Sequence, residues 1–320
     1  MCPRVDRLAA GALLLLLAAA CTPALAFELT PQPVADGVFA LVGPTGPRTY
    51  QNYGLNDNLG FVVTGQGVLL IDSGATVQTG PMIERAVRSV TDQPVRWVVN
   101  TGSQDHRWLG NAYFADRGAQ LIALARTVRT QRQYASEELA ALRRVLKDRA
   151  DSTRPVSAPQ PLPGNQARLK LGGVVVELHW FGDAHFPGDA VVWLPQSQVM
   201  FSGDLIYVDR MLGVMPSSHT VSWRQAFHRA MDTLDPRIIV PGHGAVCDAA
   251  KARRDTGDYL DWLVAEVQPA VERWDGLEAT VERLGRTKRW AYLEHFDTLH
   301  RNNINRTYVQ LENGQTGETP

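Results

Sequence analysis

Cysteine is nearly absent from this chain. There are three in 320 residues, and two of them, Cys2 and Cys21, fall in a compositionally separate N-terminal stretch. If that stretch is removed, only Cys247 remains. This excludes an internal disulfide, so the chain must be held by its core. Cys247 itself reads as a buried, inert thiol near the end of a strand. A charge excess is lacking too: 32 Lys and Arg stand against 33 Asp and Glu, a formal net charge of −1. No basic run and no aromatic–basic alternation appears, which leaves a nucleic-acid partner without support. Beyond the N-terminus, no segment approaches the ~18 consecutive apolar residues of a membrane helix.

The one long apolar run lies at the start. "MCPRVDR" carries two arginines, "LAAGALLLLLAAA" is uninterrupted, and "ALA" at 24–26 is a small-x-small cleavage signal. That pattern is expected of a secretory signal peptide over 1–26. The mature chain would then begin at Phe27, periplasmic or secreted and free of the membrane. "LAAAC" offers the alternative of lipoprotein anchoring at Cys21, which the small Ala18 makes the weaker reading.

What is present is 44% hydrophobic residues arranged in short runs. Val-, Leu- and Ile-rich stretches at 38–42, 60–64, 67–72, 95–99 and 119–123 are bounded by Gly, Asp, Asn or Pro, as strands are. Helical spacing marks 81–91 and 125–149. Residues 150–167 are Pro-rich and polar. The second half repeats the mixture, with strands expected at 168–181, 190–194, 198–202 and 237–240 and a helix at 222–234. From about 250 the pattern is mostly helical. Strands interrupted by helices in both halves argue an α/β layered domain over 27–250, with a C-terminal helical extension and tail over 251–320.

Of eight histidines, three sit where an apolar run gives way to a loop: His106 in "SQDHRWLGN", His185 in "GDAHFPGDAVVWLP" and His243 in "IIVPGHGAV". Asp204 in "VMFSGDLIY" occupies a fourth such junction. Strand ends are where α/β enzymes assemble their sites, and Asp and neutral His suit Zn²⁺, Mn²⁺ or Fe²⁺. Singly, each has a plainer explanation as a satisfied structural histidine or an Asx turn. Together the four leave a metal site and a structural role evenly balanced.

The order of these segments resembles the metallo-β-lactamase fold superfamily from about residue 35 to 250. "VLLIDSGA", ending in Asp72, is similar to its first motif, and "NTGSQDHRWLGN" stands where the family has a His-x-His-x-Asp-His loop. "GDAHFPGDAVVWLP", "FSGD" and "VPGHG" resemble the third, fourth and fifth motifs. The resemblance implies a four-layer αβ/βα sandwich and a metal-dependent hydrolase. Aligned on Asp105–His106, the first two histidine positions fall on Thr101 and Ser103. Aligned on Asn100–Thr101, the loop is one residue short and Gly102 stands first. Both histidines are absent either way. One metal site therefore keeps only His185 and Asp204, while the other keeps Asp105, His106, Asp204 and His243.

The expectation is therefore one divalent metal per chain, zinc first with iron or manganese as alternatives, on Asp105, His106, Asp204 and His243. Asp105 could orient a water as base and His185 could bind substrate or a developing oxyanion. Asp72 and Asp189 are expected behind the ligands. Ser103 and Gln104, with Arg48, Tyr50, Asn52 and Asn56 from the Gly-rich stretch 43–60, are weaker substrate-contact candidates. His219 is expected at a helix start. The leader, "NYGLNDNLGFVVT" and "SHTVSW" most resemble an exported subgroup associated with periplasmic quinoprotein oxidation systems, a possible partner. An ester, thioester or amide-like small molecule is the expected substrate class. The rival readings are a periplasmic accessory protein that kept the scaffold without catalysis and, more distantly, an iron-dependent redox enzyme.

Overall fold

A computed structural model of the chain describes residues 27–314, so the expected leader and Cys21 lie outside the described residues. Among the described residues, eleven strands form two sheets. The first contains β1 (Pro31–Ala35), β2 (Val38–Leu41), β3 (Leu59–Val63), β4 (Val68–Ile71), β5 (Val95–Val99) and β6 (Gln120–Ile122), in that spatial order. The second contains β7 (Gln166–Leu171), β8 (Val174–His179), β9 (Val191–Leu194), β10 (Val199–Phe201) and β11 (Ile238–Val240), also in chain order. Hairpins join β1 to β4 antiparallel. The β4–β5 and β5–β6 pairs are parallel. Those two crossovers contain α1 (Gly80–Arg88) and the short helices α2 (Asp105–Trp108) and α3 (Asn111–Ala115).

The inner faces of the sheets meet in a core that includes Val62, Ile71, Val99, Val192 and Phe201. Alternation along each strand then sends the other residues outward. Phe61, Leu70 and Val98 pack against Ile83, Val87 and Phe114. On the far side, Val191, Trp193 and Met200 share a core with Trp223 and Phe227 of α5 (Thr220–Leu234). The result is a helix–sheet–sheet–helix sandwich, with the long α4 (Ala125–Leu146) between the two halves of the chain. After the short α6 (Ala249–Ala252) come α7 (Asp258–Glu272), α8 (Leu277–Leu284) and α9 (Phe296–Glu312). Leu260, Leu263, Ile304 and Tyr308 of these helices belong to the α5 core. No helix of the described residues is long and apolar enough to cross a membrane.

Two strand expectations need correction. The single strand over 168–181 is a hairpin, turned by Gly172 and Gly173, both at positive φ. The edge strand β1 escaped notice because Pro31 and Pro33 weaken its pattern, as proline is confined to edges. The sheets approach closely at Gly60, where a Cβ would lie 2.1 Å from Phe201 Cε1. Gly60→Ala is therefore expected to lower stability by about 1–3 kcal/mol through overpacking. A urea unfolding curve checks this, and an unchanged midpoint would contradict it.

Candidate metal centre

Four strand ends converge at one edge of the sandwich. β4 delivers Asp72, held at φ 60°. Its carboxylate accepts from Thr101 N at 2.7 Å and Thr101 Oγ1 at 2.6 Å, just beyond β5. The loop after β5 turns into α2 and buries His106 and Arg107. The turn after β10 presents Asp204, and the one after β11 presents His243. His185 arrives from the loop before β9. His106, Asp204, His243 and His185 are 2–4% exposed, so the group is sealed from bulk water.

Among the described residues, His106, Asp204 and His243 form the group suited to a metal, their ligand atoms lying within 4.8 Å of one another. The hydrogen bonds behind the histidines fit that role. His243 Nδ1–H donates to Asn56 O at 2.7 Å and His106 Nδ1–H to Asp105 Oδ1 at 3.2 Å. With Nδ1 so committed, Nε2 of each ring faces an Asp204 oxygen at 3.2 Å, carrying a lone pair where the ring is neutral and a proton where it is charged. A lone pair opposed to a carboxylate repels it unless a proton or a cation lies between them. Backbone and carboxylate acceptors behind the rings are also how metal-ligating histidines are oriented.

The proton affinities follow the same lines. Burial works against a charged His106, yet Asp57 and Asp204 outweigh it and raise the ring to about 9. Burial depresses His243 to about 3, so that ring stays neutral. Burial would also raise the Asp204 carboxyl, but Arg107 and His106 hold it well below the usual carboxylate range.

Arg107 had no place in the expected site and proves central to it. Its Nη2 donates to Asp204 Oδ1 at 2.5 Å and Nε to Oδ2 at 3.2 Å, a fork on one carboxylate. Nη1 donates to Asn58 O at 2.9 Å and Asp72 Oδ2 at 3.3 Å, and Nη2 also reaches Gly242 O at 3.1 Å. Asp57 Oδ2 lies 3.3 Å from Nη1.

The placement of Gln104 and Arg107 agrees with the alignment on Asn100–Thr101. Gln104, not Ser103, faces His185, its amide placed with Oε1 3.1 Å from Nε2. His185 Nδ1–H is committed to Gly213 O at 2.9 Å, so the amide's N–H end is the partner that the ring requires. Counted from Asn100–Thr101 with no residue missing, the loop's six motif positions are Gly102 to Arg107. Gly102 and Gln104 then stand where the two histidines were expected, His106 in the aspartate position and Arg107 in the last histidine position. A Cβ at Gly102 would come 2.9 Å from Asp189 Oδ1, so no larger side chain fits without movement.

Asp105, expected as a ligand, is not in the group. Its carboxylate pairs with Arg48 and receives His106 Nδ1, and its backbone N–H donates to Glu138 at 3.0 Å. Asp72 and Asp189, expected behind the ligands, bond Thr101 and Arg107 in the first case and Phe186 N in the second. Burial pushes Asp72 up to about 6, and Asp189 accepts from Phe186 N at 2.7 Å. Asn52 is tied up inside its own loop by Thr49 N, Gly54 N and Pro47 O. Ser103 Oγ donates to Pro187 O at 3.3 Å, Tyr50 reaches Asp148, and Asn56 acts through its backbone carbonyl. His219 caps the start of α5 without a side-chain capping bond.

Two expectations follow. Arg107→Met would leave Asp57, Asp72 and Asp204 buried without their shared cation. A loss of about 3–5 kcal/mol is expected, measured by chemical denaturation. Wild-type stability in the variant would contradict the arrangement. Burial also holds His185 to about 4, below the unfolded value near 6.5. Unfolding then takes up a proton, so its contribution to stability is present above pH ~6.5 and fades as pH falls toward 4. Thermal midpoints against pH should decline less steeply in His185→Gln than in wild type. Parallel curves would contradict this.

A family model described as the metallo-beta-lactamase superfamily matches residues 53–243. "Metallo-beta-lactamase type 2" of Bacillus cereus is 26% identical over 195 residues, covering 58% of this chain and 66% of its own length. The protein of the same name from Bacillus sp. (strain 170) is 25% identical, covering 58% and 65%. The match thus spans just under two thirds of both relatives. Among solved structures, a metallo-beta-lactamase from Pontibacter korlensis superposes with a TM-score of 0.58 at 21% identity, over 73% of this chain and 99% of that one.

Proposed function

Because this chain belongs to the metallo-beta-lactamase superfamily, we propose that it is a metal-dependent hydrolase working with a single divalent cation, zinc in the first instance. The observation that carries the reading is the convergence of His106 Nε2 and His243 Nε2 on Asp204, with all three ligand atoms within 4.8 Å of one another. His106, Asp204 and His243 would hold the cation, three protein ligands with a position left open, as catalytic zinc sites have. When bound, such a cation supplies Lewis acidity and brings the pKa of water from 15.7 toward about 7.

The remaining roles belong to the chain's own side chains. Asp105 fixes the tautomer of His106, and Asn56 O fixes that of His243. Arg107 keeps Asp204 ionised and aimed. His185, neutral and backed by Gly213 O, offers its Nε2 edge to a substrate group that displaces Gln104. The absence of histidines at Gly102 and Gln104 argues against a second cation of comparable affinity. An ester, thioester or amide-like small molecule remains the substrate class. Export to the periplasm, and a quinoprotein oxidation system as partner, rest on the leader and on the subgroup resemblance.

Closure of the site supports a second reading, that of an accessory protein which keeps the scaffold without turnover. Arg48 lies across the site on Asp105, and the ligands are nearly inaccessible. Zinc-loaded wild type, His106→Ala and His243→Ala assayed on a panel of esters, thioesters and amides separate the two. The hydrolase reading expects turnover by wild type and a loss of at least ~100-fold in each variant, the scale of effect of essential catalytic groups. Zinc-loaded wild type inert across the panel would favour the accessory reading.

A further inference from the structure

His106, Asp204 and His243 are buried so deeply that neither a cation nor a substrate reaches them unless part of the wall moves. Most of that wall is locked. Asn58 is fixed by its side chain to Pro241 O and Gly244 O, and by its backbone N–H to Gly242 O. Arg107 holds the turn at 105–107 to Asp204 and Asp72. The loop bearing His185 is bonded to Gly213 O through the ring and to Ser218 Oγ through its backbone carbonyl. The stretch from 44 to 51 differs. Every residue in it is partly or fully exposed, and none belongs to a hydrophobic core. Segments with so few buried apolar contacts open locally at low cost. Its one bond into the site is the ion pair of Arg48 with Asp105.

What holds this cover down comes from the far end of the chain. Thr45 is gripped twice by adjacent residues between α8 and α9. Its hydroxyl donates to Glu294 at 2.5 Å, and its carbonyl accepts from His295 Nε2–H at 3.1 Å. Those two residues are in turn anchored to the segment that follows Asp204. The Glu294 N–H donates to Asp209 O at 2.9 Å, and Glu294 O accepts from Met211 N at 2.8 Å. Asn303 of α9 adds bonds to Val214 N and Leu212 O, each at 2.8 Å. His295 stands at φ 63°, a left-handed conformation that a residue with a Cβ adopts at a cost. The cover is thus a lightly packed flap held against a rigid post. Both flap and post lie outside the matched family segment, 53–243.

We propose that Glu294 and His295 are a latch on the 44–51 flap, and that release of Thr45 from them, with Arg48 from Asp105, opens the path to the site. What passes along that path, a divalent cation and a small-molecule substrate, rests on the single-cation reading above. The latch itself rests on the contacts of Thr45. A latch made in the same way by the free and the loaded protein slows entry and exit alike, so it changes rates and leaves affinity as it was. A surface contact with no bearing on access would change neither.

Two measurements on the full chain test the proposal in wild type, Glu294→Ala, Thr45→Val and Glu294→Gln. Hydrogen exchange of residues 43–51 in the metal-free protein reads the latch. Stopped-flow uptake of Zn²⁺, and its release to excess chelator, read the path. Glu294→Ala and Thr45→Val should each speed exchange, uptake and release by about 2- to 10-fold, the span of one net hydrogen bond, with zinc affinity unchanged. Glu294→Gln still accepts from Thr45 and should stay near wild type. Because the two variants break the same bond, combining them should add little to either. Exchange and zinc rates equal to wild type in both would overturn the proposal. Faster exchange with unchanged zinc rates would also overturn it, since the flap would then not be the way in. So would weaker zinc affinity with unchanged uptake, which places the effect on the ligands. Wild type that takes up no Zn²⁺ removes the single-cation reading, and hydrogen exchange alone then decides the latch.

Discussion

The fork of Arg107 on Asp204 is the constraint about which the site is built. One guanidinium, 1% exposed, joins four separate segments: the 56–58 wall, the end of β4, the turn after β10 and the loop after β11. Each of these brings an acceptor to it, and none could be withdrawn without stranding a buried charge. Gly242 records the tightness of the arrangement, since a Cβ there would lie 2.7 Å from both Arg107 Nη2 and Asp204 Oδ1. With Arg107 behind it, Asp204 is ionised and turned so that its oxygens face His106 and His243.

That arrangement explains how a site can lose half of its expected ligands and still be organised. Gly102 and Gln104 cannot bind a cation as histidines would, and His185 is left with an amide for a neighbour. Asp204 keeps its charge because Arg107 beside it is permanently protonated. Above them the loop from 43 to 58 closes the pit. It is pinned on one side by Arg149, stacked 3.9 Å from Tyr50 and 3.8 Å from Tyr53. On the other, Thr45 donates to Glu294 at 2.5 Å and its carbonyl accepts from His295 at 3.1 Å. The C-terminal segment thus bears on the cover of the site, which ties access to a region outside the matched family segment.

Much of this was legible in advance. Apolar runs bounded by Gly, Asp and Asn placed most strands, and three of the four junction residues, His106, Asp204 and His243, come within 4.8 Å of one another, while His185 bonds Gln104 and Gly213 O. The register of the second motif was not legible, because Asp105–His106 imitates the motif's own Asp-His pair one position early. Only the contact of Gln104 with His185, across 81 residues, distinguishes the two alignments. Arg107 and Asp57 were invisible for a shared physical reason. Charged side chains read as solvent-facing unless their partners are known, and theirs come from strands far apart in sequence.

The central claim is that the pit accepts one divalent cation and not two. Isothermal titration of metal-free protein with Zn²⁺, combined with elemental analysis after dialysis, addresses it most directly. The account predicts one tightly held zinc per chain. Two equivalent tight sites, or none at all after reconstitution, would contradict it.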